Sequence, residues 1–222
     1  AVVVGSSDPL LEWSLRESEC GLAFLACNGE DALASISAGK AIAAGVNFFD
    51  AGPGEDGAVE LCRNAVKLDC VVVEWARREQ GLLIAPSKAE KIRSIADLKA
   101  GELRIAARQP SPANASLFAQ LLGKAGISAA HLKRVGRAAR TDADVAFVVR
   151  ENDADVGLAT RTAAREAGLA FIPLLWERYN LVVTRFEYFE PALQKLLAFA
   201  QTDEFRIHAE LISACNIAES GR

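Results

Sequence analysis

The sequence predicts an α/β protein built of two lobes, and three observations support this. With 222 residues the chain can bury a sizeable core, since folding removes about 70–75% of the surface of an unfolded chain of this size from water. Short apolar runs alternate with helical patterns, as they do around mostly parallel sheets. The segment 151–183 predicts a strand, a polar-started helix and a second strand that leads back into a different sheet. A chain that returns in this way has two crossings, which we interpret as a hinge.

The first lobe begins with a predicted buried strand at 1–4, and Asp8 and Pro9 then introduce a helix over 10–19. Aspartate is favoured at the N-cap of a helix and proline at its first position. The elements that follow are strand 22–26, helix 30–39, strand 43–49, a Gly/Pro/acid loop at 52–57, a helix from 58 to about 68, and strand 70–76. The first crossing is placed at 77–81, which leads into the apolar run 82–86.

The second lobe repeats the order of strand, polar turn and helix. Its predicted elements are strand 103–107, polar loop 108–112, helices 113–123 and 141–150, strand 156–159, helix 161–167 and strand 171–174. Residues 181–183 re-enter the first lobe, where helices 191–201 and 204–213 pack. Residues 1–79 and 176–222 therefore form lobe one, and residues 80–175 form lobe two.

Composition excludes several functions. The formal net charge of −4 gives no concentrated basic surface for direct contact with nucleic acid or an anionic membrane, and no apolar run approaches the ~20 residues that span a bilayer. Five cysteines without a C-x-x-C pair favour a reducing compartment, hence the cytoplasm, although exported proteins also contain free core cysteines. The start at Ala1 and the lack of methionine suit either a domain separated from an N-terminal module or an exported protein without its signal peptide.

Ligands of open α/β sheets bind outside the carboxyl ends of the strands, where helix N-termini offer unpaired N–H groups to small anions. At Ser6 and Ser7 the neighbouring Asp8 caps a helix and adds negative charge, so this turn favours hydroxyl contacts, or is simply a helix cap. The segment 111–115 has no acid at its cap and follows Arg108, which makes it the better anion seat; an ordinary Ser-Pro helix start is the alternative.

For the other polar turns the sequence allows two interpretations, a ligand-binding role and a purely structural role. Thr141 begins a capping box with Asp144, for which a structural role is favoured. Thr160 combines a hydroxyl with a helix start, and Tyr179 beside Trp176 either packs or presents its hydroxyl to a ligand. The candidate ligand-binding residues are Ser6, Ser7, Asn47, Arg108, Ser111, Asn114, Thr141, Thr160 and Tyr179. Of the arginines in or near the second lobe, we expect one or two to reach the cleft; they are Arg77, Arg78, Arg108, Arg137, Arg140 and Arg161.

Catalytic motifs are lacking. The sequence has no Walker A motif, no dinucleotide fingerprint and no G-x-S-x-G elbow, and His131 and His208 lack the spacing of metal ligands. We therefore expect a binding protein that is not an enzyme and that has no cofactor or metal.

The order and spacing of six segments resemble the type II periplasmic-binding-protein superfamily over essentially the whole chain. The narrower resemblance is to the PBP-like substrate-binding domain of bacterial winged-helix regulators of the molybdate-responsive type and of some molybdopterin-biosynthesis proteins. The segments are 5–11 (GSSDPLL), 45–50 (GVNFFD), 78–82 (REQGL), 108–109 (RQ), 154–158 (ADVGL) and 179–181 (YNL).

The resemblance implies two Rossmann-like lobes with a central ligand cleft and two hinge crossings. It further implies a sensor of a small anion, either a molybdate- or tungstate-type oxyanion or a small carboxylate, that signals to DNA through an N-terminal winged-helix module absent from this chain. We also expect a homodimer. The sequence departs from the family at Ser7 and Asn47, where histidine is common, and at 111–115 (SPANA), where the family often has GSGTR. The alternatives are a periplasmic solute-binding protein of an ABC transporter and a dehydratase-type enzyme acting on a prephenate-like substrate.

Overall fold

The computed structural model describes residues 1–49, 66–99, 103–108, 112–128, 132–212, 215–218 and 220–221. The chain divides into two compact units, unit 1 (Ala1–Arg78 and Trp176–Arg222) and unit 2 (Glu79–Leu175). The predicted loop at 52–57 and all but the end of the predicted helix 58–68 lie outside the described residues.

Strands and helices alternate along most of the chain. The strands are β1 (Val2–Gly5), β2 (Ala23–Ala26), β3 (Ala43–Phe49), β4 (Cys70–Ile84), β5 (Arg104–Arg108), β6 (Lys133–Ala139), β7 (Val156–Thr160), β8 (Ala170–Thr184) and β9 (Cys215–Asn216). The helices are α1 (Pro9–Glu17), α2 (Gly29–Ser37), α3 (Pro112–Lys124), α4 (Asp142–Arg150), α5 (Arg161–Glu166), α6 (Arg185–Tyr188), α7 (Pro191–Phe199) and α8 (Asp203–Ile212). Two short 3₁₀ helices span Pro86–Lys88 and Ile95–Lys99.

In unit 1 the strand order is β2-β1-β3-β8-β4, and β9 pairs with β4. Strand β1 runs parallel to both β2 and β3, whereas β8 is antiparallel to β3. Alternate residues of β8 enter different cores: Leu181 packs with Trp75 and Phe205, whereas Val182 packs with Ile36. This period of two places apolar clusters on both faces of the strand, as expected of a buried sheet with helices on each side.

Unit 2 has the order β4-β7-β5-β6. Strand β5 is parallel to β6 and to β7, and β4 is antiparallel to β7. Here too the sheet has two cores, one containing Val145 and Val149 of α4 and one containing Leu122 of α3. The carboxyl ends of β5 and β7 therefore lie at the same edge, where the sequence-based argument places ligand contacts.

The two crossing strands are longer than the sequence predicts. Separate strands were expected at 70–76 and 82–86, and again at 171–174 and 181–183. Instead β4 and β8 are each continuous over 15 residues, so the expectation that the second strand of 151–183 leads into a different sheet is wrong. The polar residues that suggested an interruption are accommodated within the strands, since Arg78 and Glu177 are buried and pair with one another.

Strand β6 was not expected at all. Its sequence, KRVGRAA, lacks the alternation of a half-buried strand, has Val135 as its one β-branched residue, and contains Gly136. It forms the end of the strand order beside β5, with a register shift between Ala106 and Arg108. Charged side chains are tolerated on such an edge strand because one side of the strand faces no neighbouring strand.

Several helix starts are confirmed. Asp8 caps α1 by accepting a hydrogen bond from Leu11 N at 2.7 Å, and Pro9 is the first helical residue. Thr141 and Asp144 form the expected capping box of α4, with Asp144 N donating to Thr141 Oγ1 at 3.1 Å. No helix in the described part of the chain is both long and apolar enough to cross a membrane.

Candidate functional site

The turn between β1 and α1 (residues 5–8, the β1–α1 turn) begins at a glycine that no other residue can replace. Gly5 has φ +149°, which side chains rarely adopt, and a Cβ on it would lie 2.1 Å from Gly45 O. Ser6 N donates to the same Gly45 carbonyl at 3.0 Å. The close approach of β1 and β3 therefore determines where Ser6, Ser7 and Asp8 lie.

Beneath this turn lies a buried group of charges, the Arg78 cluster, formed by Asp8, Arg78 and Glu177. Their exposed fractions are 1%, 4% and 0%. The guanidinium donates from Nη1 to Asp8 Oδ2 at 2.9 Å and from Nε to Glu177 Oε1 at 2.8 Å. Charges this deeply buried persist only when they are paired and hydrogen-bonded, so the cluster holds the carboxylates of α1 and β8 against β4.

Tyr179 lies next to the cluster and is completely buried. Its hydroxyl donates to Ser6 O at 2.6 Å, and the guanidinium carbon of Arg78 lies 4.5 Å from the centre of its ring. Burial, followed by the charge of Asp8, raises the pKa of Tyr179 well above its ordinary value, so the phenol stays a neutral donor. The Tyr179 hydroxyl therefore already donates its hydrogen bond within the β1–α1 turn.

Asn47 extends the network from β3. Its Nδ2 donates to Glu177 Oε2 at 3.3 Å, while its buried Oδ1 has no hydrogen-bond partner among the described residues. Ser7 Oγ donates to Glu12 Oε1, and Ser7 O accepts from Arg78 Nη1 at 3.3 Å. Four of the predicted residues, Ser6, Ser7, Asn47 and Tyr179, are therefore brought together in unit 1.

The carbonyl contacts of the β1–α1 turn orient its N–H groups. In a trans peptide unit the C=O and the following N–H point in opposite directions, and the described residues contain no cis peptide bond. The carbonyls of Ser6 and Ser7 point at the buried donors of Tyr179 and Arg78. The N–H groups of Ser7 and Asp8 consequently point away from these donors, and neither has an acceptor within the described part of the chain.

In unit 2 a second network joins the ends of β5 and β7. Arg108 Nη1 contacts Asp142 Oδ1 at 2.6 Å and donates to Leu158 O at 3.1 Å. The other carboxylate oxygen of Asp142 accepts from Thr160 N at 3.2 Å. Asp142, which the sequence did not single out, therefore links Arg108 to Thr160 across the carboxyl ends of the parallel strands.

The two predicted threonines are helix caps. Thr141 caps α4, and Thr160 caps α5 by accepting from Ala163 N at 3.4 Å. Burial of Asp144 opposes its ionisation, but backbone N–H bonds from Arg140 and Thr141 outweigh this and lower the pKa of the carboxyl. Contacts of these threonines with a ligand remain predictions.

Ser111 lies outside the described residues, and Asn114 belongs to α3 although its side chain is not described. The first turn of α3 carries no acidic residue, in contrast to α1, α2, α4 and α8. A helix start without nearby carboxylates keeps its partial positive charge available to an anion.

Sequence reasoning missed the Arg78 cluster. It placed Arg77 and Arg78 in the first lobe, near the second, and expected one or two arginines to reach the ligand, but it did not foresee that Arg78 is buried among carboxylates. One signal was present: Arg78 and Glu177 belong to short charged segments that stand between apolar runs. The pairing itself joins residues 99 positions apart, which no local pattern encodes.

The described residues contain no cluster of three or more His, Cys, Asp and Glu side chains able to hold a metal ion. His208 stacks on Trp13 with the ring centres 3.7 Å apart. The position of His131 lies outside the described residues.

This chain is similar to known proteins both in sequence and in fold. The chain is 25% identical over 155 residues to the uncharacterized protein YvgK of Bacillus subtilis (strain 168), and the match covers 70% of this chain and half the length of YvgK. Among solved structures, PEB3 with bound L-phospholactate superposes with a TM-score of 0.63 at 11% identity, covering 97% of this chain and 99% of PEB3.

Two further structures represent different uses of the fold. A periplasmic substrate-binding protein of an ABC transporter from Coxiella burnetii gives a TM-score of 0.59 at 16% identity and covers 97% of this chain and 99% of its own. The LysR family transcriptional regulator CbnR gives 0.56 at 16% identity, covering 89% of this chain and 67% of CbnR. At these identities the likeness shows the mixed α/β, type II periplasmic-binding-protein fold alone. A family model described as the PBP superfamily domain matches residues 12–201, and this chain therefore belongs to the PBP superfamily domain family.

Proposed function

We propose that this chain is the ligand-sensing domain of a bacterial transcriptional regulator and that it binds a small anion, either a molybdate- or tungstate-type oxyanion or a small carboxylate. In this proposal the domain acts in the cytoplasm as a homodimer, catalyses no reaction, and acts on DNA through a winged-helix module outside this chain. The fold is shared with CbnR, a transcriptional regulator, and with PEB3 in its complex with L-phospholactate, an anion.

The observation that carries the proposal is the pair of N–H groups at Ser7 and Asp8. Asp8 is 1% exposed, so its N–H is a buried donor without an acceptor in the described structure. Leaving a buried donor unpaired costs about 1–3 kcal/mol, which a bound acceptor would recover. Two consecutive N–H groups beside the start of α1 suit the oxygen atoms of an anion.

The negative charge of Asp8, which by itself argues against an anion here, is offset in part by Arg78. The carboxylate is paired with the guanidinium at 2.9 Å and does not face the unpaired N–H groups as a free charge. The guanidinium therefore lowers the negative charge beside the N–H groups without cancelling it, because it also pairs with Glu177 and because Glu12 accepts from Ser7 Oγ. This supports binding of a whole anion where the sequence favoured only hydroxyl contacts.

Unit 2 supplies independent support. Arg108 lies at the carboxyl end of β5, directly before the segment that leads into the acid-free start of α3. A planar guanidinium binds carboxylates and oxyanions through paired hydrogen bonds. The Arg108 guanidinium already binds one carboxylate, that of Asp142. We propose that a ligand anion either displaces Asp142 from this guanidinium or binds it together with Asp142.

The unbridged state of Cys20, Cys27 and Cys70 supports a reducing compartment. The second candidate function, a periplasmic solute-binding protein of an ABC transporter, rests on the shared fold of the Coxiella burnetii protein. The complete gene discriminates between the two, since a winged helix encoded upstream supports the regulator and a hydrophobic signal segment supports the transport receptor.

Anion binding is tested by thermal unfolding of the purified chain with molybdate, tungstate, sulfate, phosphate, formate and small carboxylates. A ligand at 100 times its dissociation constant adds about 2.7 kcal/mol to the free energy of unfolding. A melting midpoint that no anion raises would refute the anion proposal. Formation of product from prephenate would instead support the enzyme alternative.

A matched pair of variants tests the contribution of β5. Arg104 and Arg108 lie at opposite ends of the same strand, and each is paired with an aspartate, Asp155 or Asp142. An anion bound at Arg108 predicts that Arg108→Ala weakens binding about tenfold or more, because a hydrogen bond to a charged group is lost. Arg104→Ala should leave the dissociation constant within about twofold. Equal effects of the two variants would place the anion elsewhere.

A further inference from the structure

We infer that Arg78 is the positioning residue of this anion site: its guanidinium orients the Ser7–Asp8 peptide unit of the β1–α1 turn and offsets part of the negative charge beside it, which makes the turn competent to bind an anion. The inference rests on the proposed function and identifies the residue on which that function depends. Arg78 itself is 4% exposed and lies under the turn, so we assign it no direct contact with the ligand.

The first step of the inference is geometric. A single guanidinium reaches three acceptors, namely Ser7 O at 3.3 Å, Asp8 Oδ2 at 2.9 Å and Glu177 Oε1 at 2.8 Å. Only a planar fork with several donors spans acceptors on three segments of the chain at once. Without it, the Ser7–Asp8 peptide unit loses the donor that turns its carbonyl inward and its N–H outward.

The second step is electrostatic. Asp8 and Glu177 bring two carboxylates to within 3 Å of the guanidinium, and both are buried. Buried charges interact over longer distances than exposed ones, because little water screens them. One guanidinium between two carboxylates leaves the cluster with a net negative charge. Removing Arg78 would make this charge more negative and would repel an anion, whereas removing the charge of Asp8 would leave Arg78 and Glu177 as a neutral pair.

Substitutions of the two partners of this ion pair should therefore change anion affinity in opposite directions. Both Arg78→Met and Asp8→Asn break the Arg78–Asp8 ion pair, and both are expected to destabilise the fold. Asparagine retains the side-chain oxygen that caps α1. We expect Arg78→Met to weaken binding of molybdate, or of sulfate as the second probe, at least about tenfold, and Asp8→Asn to strengthen it about threefold or more.

The measurement is isothermal titration calorimetry with sodium molybdate and sodium sulfate, on variants whose folding is verified by circular dichroism. Arg104→Met is the matched control, because Arg104 also binds one carboxylate and two backbone carbonyls, at Asp155, Asp153 and Asn152. Arg78→Lys covers the case in which the methionine variant does not fold; it keeps the charge but not the fork, and we expect an intermediate loss of affinity. A merely structural role of Arg78 predicts weaker binding in both Arg78→Met and Asp8→Asn, and that result would overturn the inference.

A second readout needs no ligand. Amide hydrogen exchange of Ser7 and Asp8, followed by nuclear magnetic resonance, reports the orientation and the local charge of these two groups, since hydroxide catalyses the exchange. We expect both rates to change about tenfold or more in Arg78→Lys or Arg78→Met and to stay constant in Arg104→Met. If no anion binds the unmodified chain, the proposed function fails while the exchange rates still decide the role of Arg78. If anions bind but the exchange rates and the affinities of the Arg78 variants are unchanged, the inference alone fails.

Discussion

Replacing Gly45 by alanine tests the packing that supports the β1–α1 turn. A Cβ at this position would lie 2.0 Å from Tyr179 Oη and 2.7 Å from Cζ of the same ring. To restore a separation of 3.0 Å, the hydroxyl would have to retreat by about 1 Å. Its bond to Ser6 O, which is 2.6 Å long, would then approach ~3.6 Å, beyond the limit of a hydrogen bond.

The cost follows from these distances. Loss of the hydrogen bond leaves the buried Tyr179 hydroxyl unpaired, at about 1–3 kcal/mol, and overpacking of the site adds about 1–3 kcal/mol. We therefore expect Gly45→Ala to lower the free energy of unfolding by roughly 2–6 kcal/mol in urea denaturation at neutral pH. In a Tyr179→Phe background, where the hydroxyl is already missing, the same substitution should cost about 1–3 kcal/mol less.

The control is Gly123→Ala in α3, where no atom lies within 4 Å of the added carbon. Alanine is the better helix former, so this variant should be as stable as the unmodified chain or more stable by up to about 1 kcal/mol. A cost of Gly45→Ala below about 1 kcal/mol, or costs of Gly45→Ala and Tyr179→Phe that add within about 0.5 kcal/mol, would refute the reasoning.

Three further predictions concern charge and capping. Burial opposes ionisation of Asp155, but hydrogen bonds from Arg104 outweigh it and lower the pKa of the carboxyl below its unfolded value. The ionised Asp155 carboxylate therefore stabilises the fold above the unfolded pKa, and this stabilisation is lost as the pH falls through the folded pKa. The difference in free energy of unfolding between the unmodified chain and Asp155→Asn should shrink on titration from about pH 5 to pH 2. Burial lowers the pKa of His208, so the folded state should lose stability as the pH falls through about 6.5, and the urea midpoint of His208→Gln should depend less on pH between about 5.5 and 7.5. Thr141→Ala should cost about 1 kcal/mol, measured by urea denaturation, because Asp144 N loses its capping acceptor; an unchanged midpoint would contradict the cap.

Local sequence signals gave a correct account of the elements that rest on local chemistry. Asp8 and Pro9 begin α1, and Thr141 with Asp144 begins α4, because capping joins residues three positions apart. The apolar periodicity identified nearly all the helices and strands of the described chain. It failed at β6, an edge strand whose basic residues need no apolar face, and at β4 and β8, whose buried charges resemble loop residues until their partners are known.

The candidate site divides in the same way. The sequence indicated Ser6 and Ser7 from a polar turn, Asn47 from the family resemblance and Tyr179 from its place beside the expected hinge. These four residues do lie together in unit 1. It could not give the direction of their hydrogen bonds. The Tyr179 hydroxyl donates a hydrogen bond to Ser6 O in the β1–α1 turn, and Ser6 is 173 positions away in the chain.

By itself the sequence determined the class of fold, the order of its elements and the family to which the chain is similar, because periodicity, capping and turn chemistry act between residues a few positions apart. Only the tertiary structure decided which charges are paired. Asp8 and Arg78 are separated by 70 positions, and Arg78 and Glu177 by 99. Burial makes such pairing obligatory, since an unpaired charge in the interior is too unstable to persist, but the choice of partner depends on which strands become neighbours. That choice gives the Asp8 carboxylate, which caps α1, a buried cation as its partner.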